Sequence, residues 1–333
     1  MRRKLRSPLP QRHGLDPVRL RLPTDGHWAT VRDHLVDRIP KLAPERIDAM
    51  LREGRIVGVD GPLAPDAPYA PGGFVWFHRD LPDETPVPFA LDVVHRDDGL
   101  LVVDKPHFLA TTPRGGHVVE TALVRLRRDL DLPQLSPAHR LDRLTAGLVM
   151  FVLRPELRGA YQTLFHDRLV HKEYEAVARF DPGLAMPRTV RSRIVKHRGV
   201  LAAQEEHGEP NSETRIELIE HRDGLGRYRL LPRTGRTHQL RVHLNGLGIP
   251  ILGDDLYPVV RDRAADDFTA PLQLLARALE FTDPISGRRR RFETRRSLAT
   301  WSDVDGHSAP AACTANRAAS SPSAPGPARE DYR

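Results

Sequence analysis

The sequence predicts an α+β protein built on a mixed, largely antiparallel sheet. Short apolar runs with strand character outnumber amphipathic helical segments, and most connections between them are short. Three turns carry an Asp-Gly dipeptide, a strong signal for a tight hairpin. Strands joined by short turns pair antiparallel, since a parallel pair needs a long crossover. The pattern therefore favours segregated helices and strands over a regular alternation of the two.

The length and composition restrict the class of protein. The 333 residues correspond to roughly two domains, and 39% hydrophobic with 29% charged residues is ordinary for a globular protein. No segment approaches the roughly 18 consecutive apolar residues of a membrane helix. The single cysteine, Cys313, cannot form an intrachain disulfide, and the N-terminus lacks the apolar core of a secretory signal. We therefore expect a cytoplasmic protein without a membrane span.

The charge distribution divides the chain. The net charge is +7, and residues 1–21 contain seven basic residues against one acidic residue. This basic arm is typical either of a segment that binds a polyanion or of a solvated, disordered leader. Prolines cluster at 82–88, and about half of residues 303–333 are Ala, Ser or Pro. We predict an arm over 1–25, a small domain over 26–84, a larger domain over 85–302 and a disordered tail over 303–333.

Apolar spacing predicts the elements of both domains. In the small domain we expect helices over 31–36 and 44–53 and strands over 56–59 and 74–77. In the larger domain, the strands are expected over 93–95, 100–104, 147–153, 173–180, 214–219, 228–231, 272–281 and 289–294. Helices are expected there over 120–129, 156–165 and 238–247. The run at 147–153 is continuously apolar, which is typical of a strand buried on both faces.

The segment HRLDRLTAG at 139–147 contains the most unusual candidate for chemistry. Asp142 follows Arg140 in a loop that leads into the strand at 147–153. A nearby positive charge favours the ionised form of a carboxyl group, and an ionised aspartate can act as a nucleophile or a base. The alternative is a salt-bridged aspartate in a turn. Tyr174, in HKEYEAV at 171–177, is either a functional aromatic side chain or half-buried core.

The segment RTGRTHQLRVHLNGLGIPILGDDLYP at 233–258 predicts an anion site at a helix N-terminus. Thr237 can cap the helix, and His238 and Arg241 are three residues apart, so both can lie on one side. His238 and His243 are five apart, which does not suit two metal ligands on one helix face. Dinucleotide, P-loop and zinc motifs are also missing from the sequence. We therefore predict neither a metal site nor a cofactor.

These segments, with KPHFLATTPRG at 105–115, resemble the signature segments of RluA-type RNA pseudouridine synthases. LLVVDKP at 100–106 resembles the opening hairpin of that family, and the matches keep the family order and spacing over roughly 90–295. The resemblance implies the pseudouridine synthase catalytic fold and an isomerase that needs no cofactor. It implies ribosomal or transfer RNA as substrate, and we expect a monomer. The arginine-rich, lysine-poor composition is typical of a high-GC bacterial genome.

The resemblance also implies roles for individual residues. Asp142 matches the aspartate that attacks the target uridine, so that the base detaches, rotates and rejoins through carbon. Arg140 matches the arginine that enters the RNA where the target nucleotide leaves the stack. Tyr174 matches the tyrosine that lies against the flipped base and is implicated in proton removal, and Arg241 matches the arginine that pairs with the catalytic carboxylate, so both are expected to be catalytic with Asp142. Arg236 and His238 are carried over only as RNA-binding or structural neighbours.

Two further segments have two interpretations each. Residues 27–80 resemble, more weakly, the αL RNA-binding module, and the alternative is an extension that only packs on the catalytic domain. Arg288 and Arg289 belong to an RRRR run at the start of a strand. They could form a phosphate-binding rim for RNA, or they could protect an exposed sheet edge from aggregation.

Three functional hypotheses follow from the sequence. The first is an RNA pseudouridine synthase; the second is a non-catalytic RNA-binding or ribosome-assembly protein on the same fold; the third is a metal-dependent hydrolase. Two departures from the family pattern concern local packing. Ala146 replaces a common serine, and the segment 274–281 lacks an expected histidine. We expect the loops over 185–211 and 258–271 to select the substrate site.

Overall fold

The computed structural model describes residues 7–302 and confirms the α+β class. The strands are β1 (Val18–Arg21), β2 (Phe74–Phe77), β3 (Asp92–Arg96), β4 (Leu100–Lys105), β5 (Ser136–Pro137), β6 (Ala146–Val152), β7 (His171–Arg179), β8 (Arg188–Val195), β9 (Gln204–Glu206), β10 (Ser212–Arg222), β11 (Leu225–Pro232), β12 (Leu274–Thr282) and β13 (Arg289–Glu293). The helices are α1 (Val31–Arg38), α2 (Pro44–Arg52), α3 (Ala122–Asp129), α4 (Arg158–His166), α5 (Gln239–Gly246) and α6 (Ala299–Ser302). A 3-10 turn, Pro155–Leu157, precedes α4.

An eleven-stranded sheet forms the body of the larger domain. Nine strands follow the order β3-β4-β6-β12-β7-β11-β10-β8-β9, while β13 pairs with β12 and β5 with β6. Only the short β6–β12 contact is parallel among the described strand pairs, so the sheet is mixed and largely antiparallel, as predicted. Strands β6, β7 and β12 are therefore neighbours, and residues at their ends come together.

The central strands are buried on both faces of this sheet. Leu101 and Val103 of β4 lie in one hydrophobic cluster, whereas Leu100 and Val102 lie in another. Successive side chains of a strand point to opposite faces, so a fully apolar run has to be covered on both sides. This explains why β4 and β6 read as continuous apolar segments. The predicted hairpin of β3 and β4 and the buried strand β6 are confirmed.

The N-terminal part of the described chain has its own hydrophobic cluster. Helices α1 and α2 pack with the two-stranded sheet of β1 and β2, around side chains such as Leu35 and Ile47. Helix α1 begins at a capping box: the Thr30 hydroxyl accepts from the Asp33 N–H, and the Asp33 carboxylate accepts from the Thr30 N–H. Both predicted helices are confirmed, whereas Val57 makes only isolated bridges in place of a strand over 56–59.

The predicted boundary of the basic arm is wrong. Residues 18–21, assigned to the arm, form β1, because Val18 and Leu20 alternate with arginines and pack onto the N-terminal cluster. Farther upstream, the Arg127 guanidinium on α3 donates to the Gly14 carbonyl at 3.1 Å and pairs with Asp16 at 3.0 Å. Much of the arm is thus attached to the folded chain. The predicted disordered tail over 303–333 lies outside the described residues.

Strands β8 and β9 replace part of a predicted loop. Residues 185–211 were expected to be a substrate-selecting loop, but β8 and β9 extend the sheet beyond β10. Strand β8, RTVRSRIV, has few apolar residues, since it is only half-buried near the sheet edge. In the part of the chain that the structure covers, no helix has the length and apolar character needed to cross a bilayer.

Candidate active site

A cavity of 860 Å³ opens beside the loop before β6, strand β7 and the start of α5. The cavity is strongly basic: eight lysine and arginine side chains line it, against two aspartates. The basic residues are Arg114, Arg140, Arg143, Arg168, Lys172, Lys196, Arg236 and Arg241. A concave surface with one sign of charge concentrates ligands of the opposite charge. The cavity therefore suits a polyanion.

The loop that contains Asp142 is held at its first half by side chains from neighbouring segments. The buried Thr111 hydroxyl donates to the Leu141 carbonyl at 2.8 Å and accepts from the Leu141 N–H at 3.1 Å. The ring of His139 stacks on Phe165, and its Nε2 accepts from a backbone N–H of β6 at 3.1 Å. Burial lowers the pKa of His139 to about 3, so this ring is neutral and serves as an acceptor.

Two basic side chains, one at the end of β4 and one just after it, hold the second half of the loop. The buried Lys105 Nζ donates to the Arg143 carbonyl at 3.2 Å and to the Leu109 carbonyl at 2.7 Å. The His107 Nδ1 donates to the Leu144 carbonyl at 2.7 Å. Backbone groups on both sides of Asp142 are thus bonded to buried side chains. Such second-layer hydrogen bonds keep a reactive group in one geometry.

The carboxylate of Asp142 lines the cavity and is left available by its surroundings. It is partly exposed, and it makes no hydrogen bond or ion pair with any residue between 7 and 302. Tyr174, on β7, lines the same cavity and packs against the main hydrophobic cluster. Burial and the negative charge of Asp142 both raise the pKa of the Tyr174 phenol well above its ordinary value. The structure therefore brings a carboxylate and a protonated phenol into one pocket.

Arg241 lies at this site, but its predicted ion pair is wrong. The sequence suggested a pair with Asp142; instead the Arg241 Nε and Nη2 donate to the two carboxylate oxygens of Asp254, at 2.8 and 2.5 Å. Nη2 also reaches Asp255 at 3.0 Å. The bidentate match between a guanidinium and a carboxylate explains the preference for Asp254, which is buried on the same segment. Asp142 makes no hydrogen bond to Arg241, but its negative charge still acts on the guanidinium. Burial lowers the pKa of Arg241, and the charges of Asp254, Asp142 and Asp255 raise it by more.

The start of α5 also differs from the prediction. The N-cap is His238, in a left-handed conformation with φ 58°, and Thr237 caps nothing. No side-chain cap is present at this helix start; the Gln239 Oε1 instead accepts from groups that precede the helix, the Thr234 hydroxyl at 2.7 Å and the Arg236 N–H at 3.0 Å. Arg241, the cation that the spacing assigned to an anion site at this helix N-terminus, is instead paired with Asp254 and Asp255.

His238 is held in this strained conformation by Tyr257, a residue that the sequence reasoning did not single out. The His238 Nδ1 lies 3.0 Å from the Tyr257 hydroxyl, which itself donates to the Ala203 carbonyl at 2.8 Å. The hydroxyl proton is thus committed, so the Nδ1 donates and the Nε2 is left as the acceptor nitrogen. A strained residue of this kind is frequent at functional sites.

Other predicted RNA-binding residues are divided between the cavity and a distant edge. Arg140 and Arg236 line the cavity with exposed side chains. Arg288 and Arg289 do not line it: Arg289 pairs with Glu280 on the neighbouring strand β12. Strand β13 pairs only with β12 among the described strands, so these arginines occupy a sheet edge. That position agrees with the edge-protection interpretation better than with a rim of the cavity.

The sequence reasoning missed the residues that support the site. Lys105, His107 and Thr111 belong to a segment already quoted for its resemblance, as do Asp254 and Tyr257. Two signals were visible: a lysine directly after a predicted apolar strand, and a pair of aspartates, Asp254 and Asp255, shortly before Tyr257. Neither signal predicts the hydrogen-bond partners of these residues, because the partners are distant in sequence.

Comparison with known proteins places this site in a family. The sequence model of the family described as RNA pseudouridylate synthase matches residues 99–246. The chain is 30% identical over 255 residues to ribosomal large subunit pseudouridine synthase D of Yersinia pestis, covering 70% of this chain and 71% of that protein. It is 34% identical over 208 residues to the dual-specificity RNA pseudouridine synthase RluA of Escherichia coli K12, covering 61% of this chain and 92% of that protein.

A solved structure supports the same fold. The human protein "RNA Pseudouridylate Synthase Domain Containing 1" superposes with a TM-score of 0.52 at 26% identity, covering 64% of this chain and 86% of that one. The sequence relatives and this structure thus all carry names of pseudouridine or pseudouridylate synthases. The alternatives of a binding protein without activity and of a metal-dependent hydrolase are therefore set aside. The chain belongs to the RluA-type family of RNA pseudouridine synthases, which are isomerases that act on RNA.

Proposed function

We propose that the chain converts uridines in ribosomal or transfer RNA to pseudouridine, with Asp142 as the catalytic residue and with the target base flipped into the basic cavity. The observation that carries the proposal is the position of Asp142. Its carboxylate lines a cavity rich in arginine and lysine, on a loop whose backbone is bonded on both sides, and it has no partner within residues 7–302. A carboxylate held in this way is available to substrate.

The isomerisation sets the chemical demands on the site. The bond between N1 of uracil and C1′ of ribose breaks, the base turns over, and C5 becomes bonded to C1′. C5 loses its proton and N1 gains one, so no oxidant, reductant or group donor is consumed. The protein has to supply a nucleophile, a proton acceptor and a pocket that retains the free base. Asp142 serves as the nucleophile.

The target base has to leave the RNA stack to reach Asp142. Flipping a nucleotide costs a few kcal/mol. Arg140, two residues from Asp142 and exposed at the cavity, offsets this cost by occupying the vacated place, where its planar guanidinium can stack and bind phosphate. The ring of Tyr174 then holds the face of the base. His238 and Arg236, which line the same cavity, extend the RNA-binding surface.

The RNA class and the cellular setting complete the proposal. One relative is named for the large ribosomal subunit, and another is named as dual-specific. We therefore propose ribosomal or transfer RNA as substrate, in a bacterial cytoplasm. We also propose a monomer as the active form, which sedimentation of the pure protein would test directly.

The decisive variant is Asp142→Asn, which keeps the shape of the side chain and removes its nucleophilic charge. We expect the single-turnover rate on RNA from a strain lacking this gene to fall by roughly 1000-fold or more. Affinity for the same RNA should stay within about threefold of wild type, because phosphate contacts carry most of the affinity. Pseudouridine formation and filter binding measure the two quantities.

A matched control is Asp129→Asn, at an exposed aspartate on α3 that forms an ion pair with Arg128 and with no other residue between 7 and 302. It should leave both the rate and the affinity unchanged. Retained turnover in Asp142→Asn would reject Asp142 as the catalytic residue. Mapping pseudouridine in all cellular RNA, with the gene intact and deleted, would identify the substrate. Restoration of the lost sites by Asp142→Asn would contradict the proposal equally.

A further inference from the structure

Several arginines of the cavity form no ion pair within residues 7–302, and among them Arg143, the residue directly after Asp142, stands out because it is half-buried whereas Arg114, Arg140 and Arg168 are exposed. Its side chain is half-buried and lines the cavity, yet its guanidinium makes no hydrogen bond or ion pair with any residue that the structure describes. Arg241, in the same cavity, has two carboxylates within hydrogen-bond distance. Of these two arginines, only Arg143 has no carboxylate partner within residues 7–302.

The surroundings of Arg143 are unfavourable for an isolated cation. Burial lowers the pKa of Arg143, and the positive charges of Arg263 and Arg241 lower it further, against the opposing effect of Asp255. Arg263 is fixed nearby, with its guanidinium over the Phe108 ring and one N–H on the Ala270 carbonyl. A desolvated charge without a partner lowers the stability of the free protein. An anion bound at this position would relieve that cost.

A tight turn on the cavity wall supplies further donors beside Arg143. Arg114 and His117 close the turn with two backbone hydrogen bonds, at 2.7 and 3.1 Å, and both side chains line the cavity. The charge of Arg143 acts on the His117 ring, whose pKa is lowered first by burial and then by that charge. Gly115 and Gly116, the two residues between Arg114 and His117, have no atom within 4 Å of the position that a Cβ would occupy. The turn therefore leaves open space next to its backbone.

We infer that Arg143, with Arg114 and His117 on the 114–117 turn, forms a binding subsite for an RNA phosphodiester next to Asp142. The subsite is separate from Arg140 and from the paired Arg241, and it lies on the 105–117 side of the cavity. A guanidinium fork matches the geometry of two phosphate oxygens, and the glycines allow the backbone to approach them. The role is to hold the strand beside the flipped nucleotide, so the inference rests on the proposed function.

The main test compares Arg143→Gln with wild type in binding to a 12-nucleotide single-stranded RNA that contains one uridine. We expect the Kd to rise roughly tenfold at fixed salt, since a hydrogen bond between charged groups is lost. The slope of log affinity against log salt should fall by about 0.7, the value for one phosphate contact on a single strand. Arg143→Lys keeps the charge without the fork and should lie between the two.

Arg96→Gln is the matched control, because Arg96 is exposed on β3 and does not line the cavity. It should change the Kd by less than about twofold and leave the salt slope as in wild type. The inference is overturned if Arg143→Gln binds RNA no more weakly than Arg96→Gln. It is also overturned if wild type, Arg96→Gln and Arg143→Gln have equal slopes of log affinity against log salt.

A thermal readout separates a binding role from a structural one. Without ligand, Arg143→Gln should melt at the same temperature as wild type or higher, because an unpaired, repelled charge has been removed. Inorganic phosphate should raise the Tm of wild type and of Arg96→Gln, and raise that of Arg143→Gln clearly less. A lower Tm of free Arg143→Gln, or equal phosphate stabilisation of all three, would reject the subsite. These readouts need no turnover, so their failure is distinct from failure of the Asp142→Asn test.

Discussion

Tyr174 shows how two local effects act together on one residue. Burial of the ring disfavours the charged phenolate, and the carboxylate of Asp142 disfavours a second negative charge in the same pocket; both raise the pKa of Tyr174 above its ordinary value. The phenol therefore keeps its proton at neutral pH. In the free enzyme Tyr174 can donate a hydrogen bond or present its ring, but it cannot serve as a ready-made base.

This leads to a prediction for the pH dependence of the reaction. A group whose pKa is raised above 10 does not change charge between pH 7 and 9.5. The single-turnover rate of wild type should therefore show no change of slope that depends on Tyr174 in this interval. Tyr174→Phe should have a lower rate but a pH profile of the same shape. A break that disappears in Tyr174→Phe would contradict the raised pKa.

The pair of Arg241 and Asp254 predicts a strong effect on stability. Asp254 is buried, accepts two hydrogen bonds from Arg241, and also accepts from the backbone N–H groups of Leu256 and Tyr257. Asp254→Asn would leave a buried guanidinium without its bidentate partner. We expect the free energy of unfolding to fall by about 3 kcal/mol, measured by urea denaturation.

Asp255→Asn serves as the control for that measurement. Asp255 accepts only one hydrogen bond from Arg241 and its side chain is more exposed than that of Asp254. Its loss should cost about 1 kcal/mol. Equal losses for the two variants would show that Asp254 does not carry the pair.

At the scale of secondary structure elements, the junction of β6 and β12 depends on one glycine. Gly147 has φ +105°, and a Cβ added there would lie 2.3 Å from the backbone oxygen of Ala276. The two strands pair in parallel at this point, so the close approach follows from the sheet itself. This explains the glycine at the end of the segment 139–147, next to the loop that holds Asp142.

Gly147→Ala should therefore destabilise the fold and disturb the loop. The backbone strain and the overlap with Ala276 together should cost about 3 kcal/mol in the free energy of unfolding. Gly248→Ala is a suitable control: Gly248 follows α5 with φ +78° and has nothing within 4 Å of an added Cβ. It should cost only about 1 kcal/mol. Denaturation curves for both variants check the difference, and a Gly147→Ala loss no larger than the control would be inconsistent with it.

At the scale of the whole molecule, three neutral histidines tie stability to pH. Burial lowers the pKa of His139 to about 3, and burial is likewise the main cause that lowers those of His107 and His243 to about 4. The two ring nitrogens of His243 lie within hydrogen-bond distance of the Ser212 and Thr214 hydroxyls, which hold the ring in place. In the unfolded chain each of these rings has its ordinary pKa near 6.5.

The sign of the effect follows from this difference. The unfolded chain binds protons below pH 6.5, whereas the folded chain does not bind them at these rings until about pH 4. The contribution to stability is therefore complete above pH 6.5 and is lost as the pH falls toward 4. Each histidine can remove up to about 1.4 kcal/mol per pH unit in that window.

Urea denaturation at pH 7.5, 6 and 5 tests this prediction. Wild type should lose stability on acidification, and His243→Gln should show a flatter dependence because one proton-linked site has been removed. His207→Gln, at an exposed histidine outside the core, should keep the wild-type dependence. An unchanged slope in His243→Gln would contradict the role of this ring.

Prediction from sequence succeeded where the local pattern depends on burial. The continuous apolar runs of β4 and β6 correspond to strands covered on both sides, and the apolar spacing of α2 corresponds to its one buried face. Strand β8 was missed because an arginine-rich, half-buried strand has little apolar alternation. The Thr237 cap was wrong because the helix begins one residue later, with His238 as an N-cap in the left-handed conformation and no side-chain cap bond.

The sequence by itself determined the α+β class, the order of the main elements and the segments that carry the site, because these depend on residue types at short spacing. Only the tertiary structure decided the partners: Asp254 for Arg241, Tyr257 for His238, and Lys105, His107 and Thr111 for the loop around Asp142. The physical reason is that hydrogen bonds and ion pairs require distances of about 3 Å. Residues that are 13 to 38 positions apart reach such distances only when the strands and loops have packed together.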